Sequence, residues 1–330
     1  MEYMVRRHQR TMATSTENHV PVTLLLVEDD VRQSSALKSL FEESSSNITV
    51  IVAATLKETL AHDRFEVHAV LCDLGLPDSS GLETLTAVLG HFAPVPVIVL
   101  TAAADGDIAD QAVALGADDY LSKAIVPPAA IRRVVRLAIR RSADRMAAAV
   151  REEQNKAVAQ LGQLALTNIS TTTLLATFCE LTAHVLRLPG AMFMERTAGG
   201  LLLANATHGC TVGQWPPVRI DENGPIAEAI LTNKLTRVAD VREMPDSVVS
   251  AIFGELKAVS VAAVPVRTSL TAPEGVLVVW RAEARPFSDD DSAFLSAAAN
   301  ILAAAMQRNA TQEALRASRE SMLRLANTRR

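Results

Sequence analysis

A chain of 330 residues has room for two domains of ordinary size and an extended helix or two. Its composition, 49% hydrophobic but only 4% aromatic, favours Ala-, Leu- and Val-rich helices and parallel strands over an aromatic-rich binding surface. A net charge of −5 recommends no nucleic-acid partner, and Cys72, Cys179 and Cys210 are too few and too scattered for a disulfide framework or a zinc site.

Those cysteines fit a reducing cytoplasm. No apolar run reaches the length needed to span a bilayer, so a cytoplasmic protein without membrane contact is expected. Residues 1–20 carry Arg6, Arg7, His8 and Arg10 with no apolar run behind them. They read as a disordered leader rather than a secretory signal.

From 21 to 127 the pattern alternates strand and helix. Strands are predicted near 23–28, 48–53, 68–73, 96–100 and 118–121. Helices are predicted near 32–43, 55–63, 82–91, 107–115 and from about 128 onward. Gly81, Gly116, Pro77, Pro94 and Pro96 punctuate the connections. Such a series predicts a doubly wound, five-stranded parallel sheet, an α/β fold of flavodoxin-like type.

Polar residues stand at the ends of the apolar runs. Leu24-Leu25-Leu26-Val27 precedes Glu28-Asp29, Ala69-Val70-Leu71-Cys72 precedes Asp73, and Val97-Ile98-Val99-Leu100 precedes Thr101. Ligands of open α/β sheets bind outside the carboxyl ends of the strands, so these residues build one polar cleft, with Lys123 at the end of the last strand. Three carboxylates need a cation, and oxygen-only ligands point to Mg²⁺.

The segment resembles the receiver domain of two-component response regulators. The likeness is carried by Leu25-Leu26-Val27-Glu28-Asp29-Asp30 and Cys72-Asp73-Leu74-Gly75-Leu76-Pro77-Asp78-Ser79-Ser80-Gly81. Val99-Leu100-Thr101-Ala102 and Gly116-Ala117-Asp118-Asp119-Tyr120-Leu121-Ser122-Lys123 complete it. The resemblance implies that Asp73 accepts a phosphoryl group from a sensor histidine kinase or phosphotransfer protein. It implies Mg²⁺ held by Glu28, Asp29, Asp73 and the Gly75 carbonyl. It further implies Lys123 and Thr101 at the phosphoryl oxygens, and Tyr120 moving with Thr101 as the switch. Asp30, Asp78, Ser79 and Ser80 read as turn and cap residues. The family's usual Lys-Pro is here Lys123-Ala124. A cis peptide before a non-proline residue costs roughly 2.5–4 kcal/mol, so a different loop path or a costly cis bond is expected.

Residues 128–170 read as a connector helix. Ile139, Ala143, Met146, Val150, Ala157 and Leu164 share one heptad frame, interrupted by Glu153 and Gln160. Two readings stand: a parallel two-stranded coiled coil that makes a homodimer, or a single helix packed on its own domain.

From 171 to 305 an α+β pattern follows, an antiparallel sheet with helices on one face. Helix 172–188 opens it. Strands are predicted at 191–195, 201–207, 218–220, 236–239, 259–267 and 275–281, with a short helix at 225–231 and a last helix after Pro286-Phe287-Ser288-Asp289. This stretch resembles a GAF domain through Gly224-Pro225-Ile226-Ala227, Thr236-Arg237-Val238-Ala239-Asp240-Val241, Ser260-Val261-Ala262-Ala263-Val264-Pro265-Val266 and Gly275-Val276-Leu277-Val278-Val279-Trp280. Cyclic-nucleotide-binding members carry Asn-Lys on the last strand; Trp280-Arg281 stand here, and Ser292 replaces a Glu, which argues against that class. His208-Gly209-Cys210 reads as a strand-end turn, and Phe193, Trp215, Phe253 and Trp280 as core. No ligand is assigned.

The tail, 306–330, is helical and charged, with Leu315, Ser318, Met322 and Leu325 on one face, and is similar to a signalling helix. The whole reads as a phosphorelay response regulator, pairing as a homodimer through its connector and terminal helices. It is not expected to be an enzyme beyond its own phosphorylation and dephosphorylation. Two alternatives stand: the front part of a hybrid histidine kinase or other effector enzyme, and a GAF small-molecule sensor whose receiver serves only dimerisation.

Overall fold

The computed structural model describes residues 22–43, 48–101, 106–123, 126–167, 169–211, 215–220, 224–244, 253–268 and 272–328. The proposed leader and Ala124 lie outside them. The chain divides into two compact units, with the boundary between Ala149 and Val150. No helix among the described residues is long and apolar enough to cross a membrane.

The first unit runs β1 (Val22–Val27), α1 (Val31–Glu43), β2 (Ile48–Ala53), α2 (Leu56–Ala61), β3 (Ala69–Cys72), the hairpin β4 (Gly75–Leu76) and β5 (Ser79–Ser80), α3 (Gly81–Phe92), β6 (Val97–Thr101), α4 (Gly106–Leu115) and β7 (Asp119–Ser122). It ends within α5 (Pro128–Ala165), whose residues from Val150 onward belong to the second unit. The main sheet is parallel, in the order β2-β1-β3-β6-β7. Its inner strands β3 and β6 are buried along their whole length because both faces of the sheet are covered. Leu25, Val27, Val70, Cys72, Val97 and Val99 pack with Leu85, Val88 and Phe92 of α3 and Ala112 of α4. Leu24, Leu26, Ala69, Leu71, Ile98 and Leu100 pack with Phe41 of α1 and Ile131, Val135 and Ala138 of α5. The small β4–β5 hairpin is not among the predicted strands.

The second unit continues with α6 (Thr171–Leu186), β8 (Gly190–Arg196), β9 (Leu201–His208), β10 (Val218–Arg219), α7 (Pro225–Thr232), β11 (Thr236–Val238), β12 (Ser260–Val266), β13 (Gly275–Arg281) and α8 (Asp289–Thr328). The sheet order is β10-β9-β8-β13-β12-β11, antiparallel throughout. Helices on one face are expected from the sequence; the structure corrects this. Ala191, Phe193, Leu277 and Val279 meet α5, α6 and α8 on one face. Met192, Met194, Val276, Val278 and Trp280 meet α7, Trp215 and Phe253 on the other. Every residue of β13 is buried, so the period-2 pattern that marks a one-sided strand is missing there.

The last helix and the signalling tail form one helix, α8. Ser288 caps it: its hydroxyl accepts the Asp291 N–H (3.1 Å), and the Asp291 carboxylate accepts the Ser288 N–H (2.9 Å). Residues 310–321 of this helix are exposed, Leu315 at 72%.

The connector's apolar residues are used within the chain. Met146 is buried with the first unit's core, and Ala157, Leu161 and Ala165 with the second unit's. Of the heptad positions, Ala143 is exposed and Ile139, Val150 and Leu164 are half-buried. Leu161→Ala should therefore lower the second unit's stability by about 3 kcal/mol, as large-to-small core changes do. Urea unfolding followed by tryptophan fluorescence checks this. A loss that vanishes on dilution would instead place Leu161 in a contact between chains.

Candidate functional site

Parallel pairing brings the four strand ends to one edge. Asp73 N–H donates to the Val27 carbonyl (2.9 Å), Glu28 N–H to Ala53 (3.0 Å) and Lys123 N–H to Thr101 (2.8 Å). These backbone bonds fix where the side chains begin. Carboxylate oxygens of Glu28, Asp29 and Asp73 lie within 4.8 Å of one another. Lys123 Nζ donates to Glu28 Oε2 (2.5 Å) and to Asp73 Oδ2 (2.6 Å), bridging residues far apart in sequence.

Burial and charge oppose each other here. Glu28 is 2% exposed, and burial pushes its carboxyl above the ordinary value against the pull of Lys123. Burial alone would lower the Lys123 ammonium. Hydrogen bonds and charge from Asp73 and Glu28 outweigh it and hold the ammonium above its ordinary value. Cys72, beside Asp73, is a buried thiol pushed up to about 12 by burial, and its Sγ donates to the Asp73 carbonyl. It is packing, not a nucleophile.

Gly75 N–H donates to Asp73 Oδ1 (3.1 Å), so the loop after β3 turns back over the Asp73 carboxylate. Thr101 is 8% exposed at the end of β6, opposite Ser122 in register. Tyr120 pairs with Val99 and is half-buried against the core. Thus Glu28, Asp29, Asp73 and Lys123 converge, Gly75 bonds Asp73 directly, and Thr101 lies on the same edge. Three hard carboxylates at this spacing suit a divalent cation such as Mg²⁺.

Two arrangements escape the sequence reading. Asp78 accepts hydrogen bonds from Leu56 and Lys57 N–H at the start of α2, 22 and 21 residues away. In the second unit Arg281 and Asp291, 5% and 7% exposed, form an ion pair of 2.9 Å. The one available signal for the pair is Asp291 standing three residues after a capping serine.

The aromatic residues of the second unit separate. Trp215 meets Phe253 edge-on at 5.7 Å and Trp280 at 6.3 Å in one core, while Phe193 lies in the other. Cys210 Sγ accepts from Trp215 Nε1 (3.3 Å). Gly209, at φ 78°, makes the turn after β9; a Cβ there would collide with the Pro189 carbonyl.

The response regulator receiver domain matches residues 24–136 and the GAF domain residues 168–307. The transcriptional regulatory protein FixJ of Azorhizobium caulinodans is 35% identical over 147 residues, 44% of this chain and 67% of that protein. The swarming motility regulation protein RssB of Serratia marcescens is 33% identical over 114 residues, 34% of this chain. This chain spans about half (51%) of RssB's length. A solved GAF domain from a phosphoenolpyruvate-protein phosphotransferase of Coxiella burnetii is 18% identical, with a TM-score of 0.44 over 50% of this chain and 98% of that one.

Proposed function

This chain belongs to the response regulators, as a receiver domain followed by a GAF domain, and from that premise we propose a phosphorylation-dependent regulator with Asp73 as acceptor. The observation that carries the reading is Lys123 Nζ held between Glu28 and Asp73 with Asp29 beside them. The donor is a phosphohistidine on a sensor histidine kinase or phosphotransfer protein. An Asp73 oxygen bonds the phosphorus as the P–N bond breaks, leaving an acyl phosphate and a free imidazole.

An anionic acceptor must approach an anionic phosphoryl group. Bound at Glu28, Asp29, Asp73 and the Gly75 carbonyl, Mg²⁺ would neutralise part of that charge. Lys123 supplies a second positive charge at the transferring oxygens. Thr101 and Tyr120 then report the new charge to the surface of α4, β7 and α5.

The GAF domain relays this state. Its core holds the end of α5 and the start of α8 together: Ala157, Leu161 and Ala165 pack with Leu295, Ala298, Ala299 and Leu302. Arg151 Nε donates to Asp290 (2.9 Å), and Asn309 to the Ile169 carbonyl (3.3 Å). With a net charge of −5 the reading keeps protein partners rather than nucleic acid.

The direct test is intact mass after incubation with acetyl phosphate and Mg²⁺. One phosphoryl adduct, removed by hydroxylamine as an acyl phosphate is, is expected; no adduct would overturn the reading. Calorimetry supplies a second check. At a Mg²⁺ concentration about a hundred times its dissociation constant, linkage should add about 2.7 kcal/mol to the first domain. Asp29→Ala should remove most of that gain. An unchanged response would exclude Asp29 as a ligand.

A further inference from the structure

The six-residue helix α2 begins with backbone N–H groups that its own turns leave without partners. Thr55 accounts for one, its hydroxyl accepting Glu58 N–H (3.1 Å), while its carbonyl takes the first bond of the helix itself, from Thr59 N–H (3.0 Å). The other two, Leu56 and Lys57, donate to Asp78 Oδ1 (2.8 Å) and Oδ2 (3.0 Å). These bonds hold the Asp78 carboxyl below its ordinary value, Lys57 N–H first.

Asp78 belongs to a different loop. It lies in the turn of the β4–β5 hairpin, between Leu76 and its register partner Ser79. The base of that hairpin is the acceptor site. Gly75 N–H bonds Asp73 Oδ1 (3.1 Å), and Gly81 N–H bonds the Leu74 carbonyl (2.8 Å). On the far side, α2 follows β2, whose Ala53 carbonyl accepts Glu28 N–H (3.0 Å). A ring therefore closes: Glu28, the end of β2, α2, Asp78, the hairpin, Asp73. Without Asp78 nothing in this set ties the hairpin tip to α2.

Resting on the phosphoryl-acceptor reading, we infer that Asp78 is a positioning residue for that site. By anchoring the hairpin tip it fixes Gly75 and Asp73 against Glu28 and Asp29. The carboxylate touches neither the acceptor nor the acids; it acts through the loop between.

A capping role alone and a positioning role separate cleanly, because Thr55 caps the same helix from outside the hairpin. The full-length chain, Asp78→Ala, Asp78→Asn and Thr55→Ala are compared. Mg²⁺ affinity is measured by calorimetric titration, phosphoryl uptake from acetyl phosphate by intact mass, and melting temperature by calorimetry. Both alanine variants should lower the melting temperature. Only Asp78→Ala should weaken Mg²⁺ binding, by about tenfold as for partners that orient metal ligands, and slow uptake with it. Asp78→Asn keeps one acceptor oxygen and should fall between; it decides the matter if Asp78→Ala does not fold. Equal effects of Thr55→Ala, or unchanged Mg²⁺ binding and uptake in the Asp78 variants, would overturn the inference. A wild-type chain that neither binds Mg²⁺ nor takes up phosphoryl would overturn the acceptor reading, and this one with it.

Discussion

Asp73→Asn should end phosphoryl uptake, lowering its rate on the order of 10⁴-fold or more, as removal of a nucleophile does elsewhere. The substitution nearly preserves shape. It replaces an anionic oxygen, aimed at the incoming phosphorus, by a neutral amide of low nucleophilicity. Loss of fold cannot explain the result. Asp73 is one of three carboxylates within 4.8 Å, so neutralising it relieves like-charge repulsion, and Lys123 keeps its bond to Glu28 at 2.5 Å. The melting temperature without Mg²⁺ should hold or rise. Mass spectra of wild type and variant, after the same exposure to acetyl phosphate, check the prediction. An adduct forming at the wild-type rate on the Asp73→Asn variant would move the acceptor to another acid.

Arg281→Met should destabilise the GAF domain by roughly 3 kcal/mol, the low end for breaking a buried pair by removing one partner. Arg281 Nη2 meets Asp291 Oδ2 at 2.9 Å, Nη1 donates to the Pro286 carbonyl at 3.2 Å, and the guanidinium lies 4.2 Å from the Phe287 ring centre. Met fills the volume but leaves the Asp291 anion with the Ser288 N–H, a long contact to Gln154 and the charge of Arg285. Adding Asp291→Asn should recover about 1–2 kcal/mol, since the amide still accepts the Ser288 N–H without burying a charge. Both tryptophans, Trp215 and Trp280, lie in this domain's core, so urea unfolding followed by their fluorescence reads it alone. A loss under about 1 kcal/mol would show the pair to be solvated in solution.

The receiver's architecture was legible because its signals are local. Apolar runs ending in Glu28-Asp29, Asp73 and Thr101 mark strand ends, and parallel pairing leaves those ends on one edge. The antiparallel GAF strands were legible for the same reason, but their covering was not. Met192 and Phe193 are both apolar, and apolarity does not say which helix meets each face. The heptad frame in α5 likewise left the covering of its faces open. It registers Met146 and Ala157 as one stripe, yet they are buried in different cores, because a stripe tells only that a helix face is covered.

By itself the sequence determined the order of the main elements and the acidic residues that stand at the strand ends. Each depends on neighbours a few residues apart, through side-chain periodicity and turn chemistry. Only the tertiary structure decided the partners: Lys123 with Glu28 and Asp73, Asp78 with the first N–H groups of α2, Arg281 with Asp291. A charged side chain carries no mark of its partner in the sequence. The choice is made by strand order and register, which bring distant residues within hydrogen-bond reach.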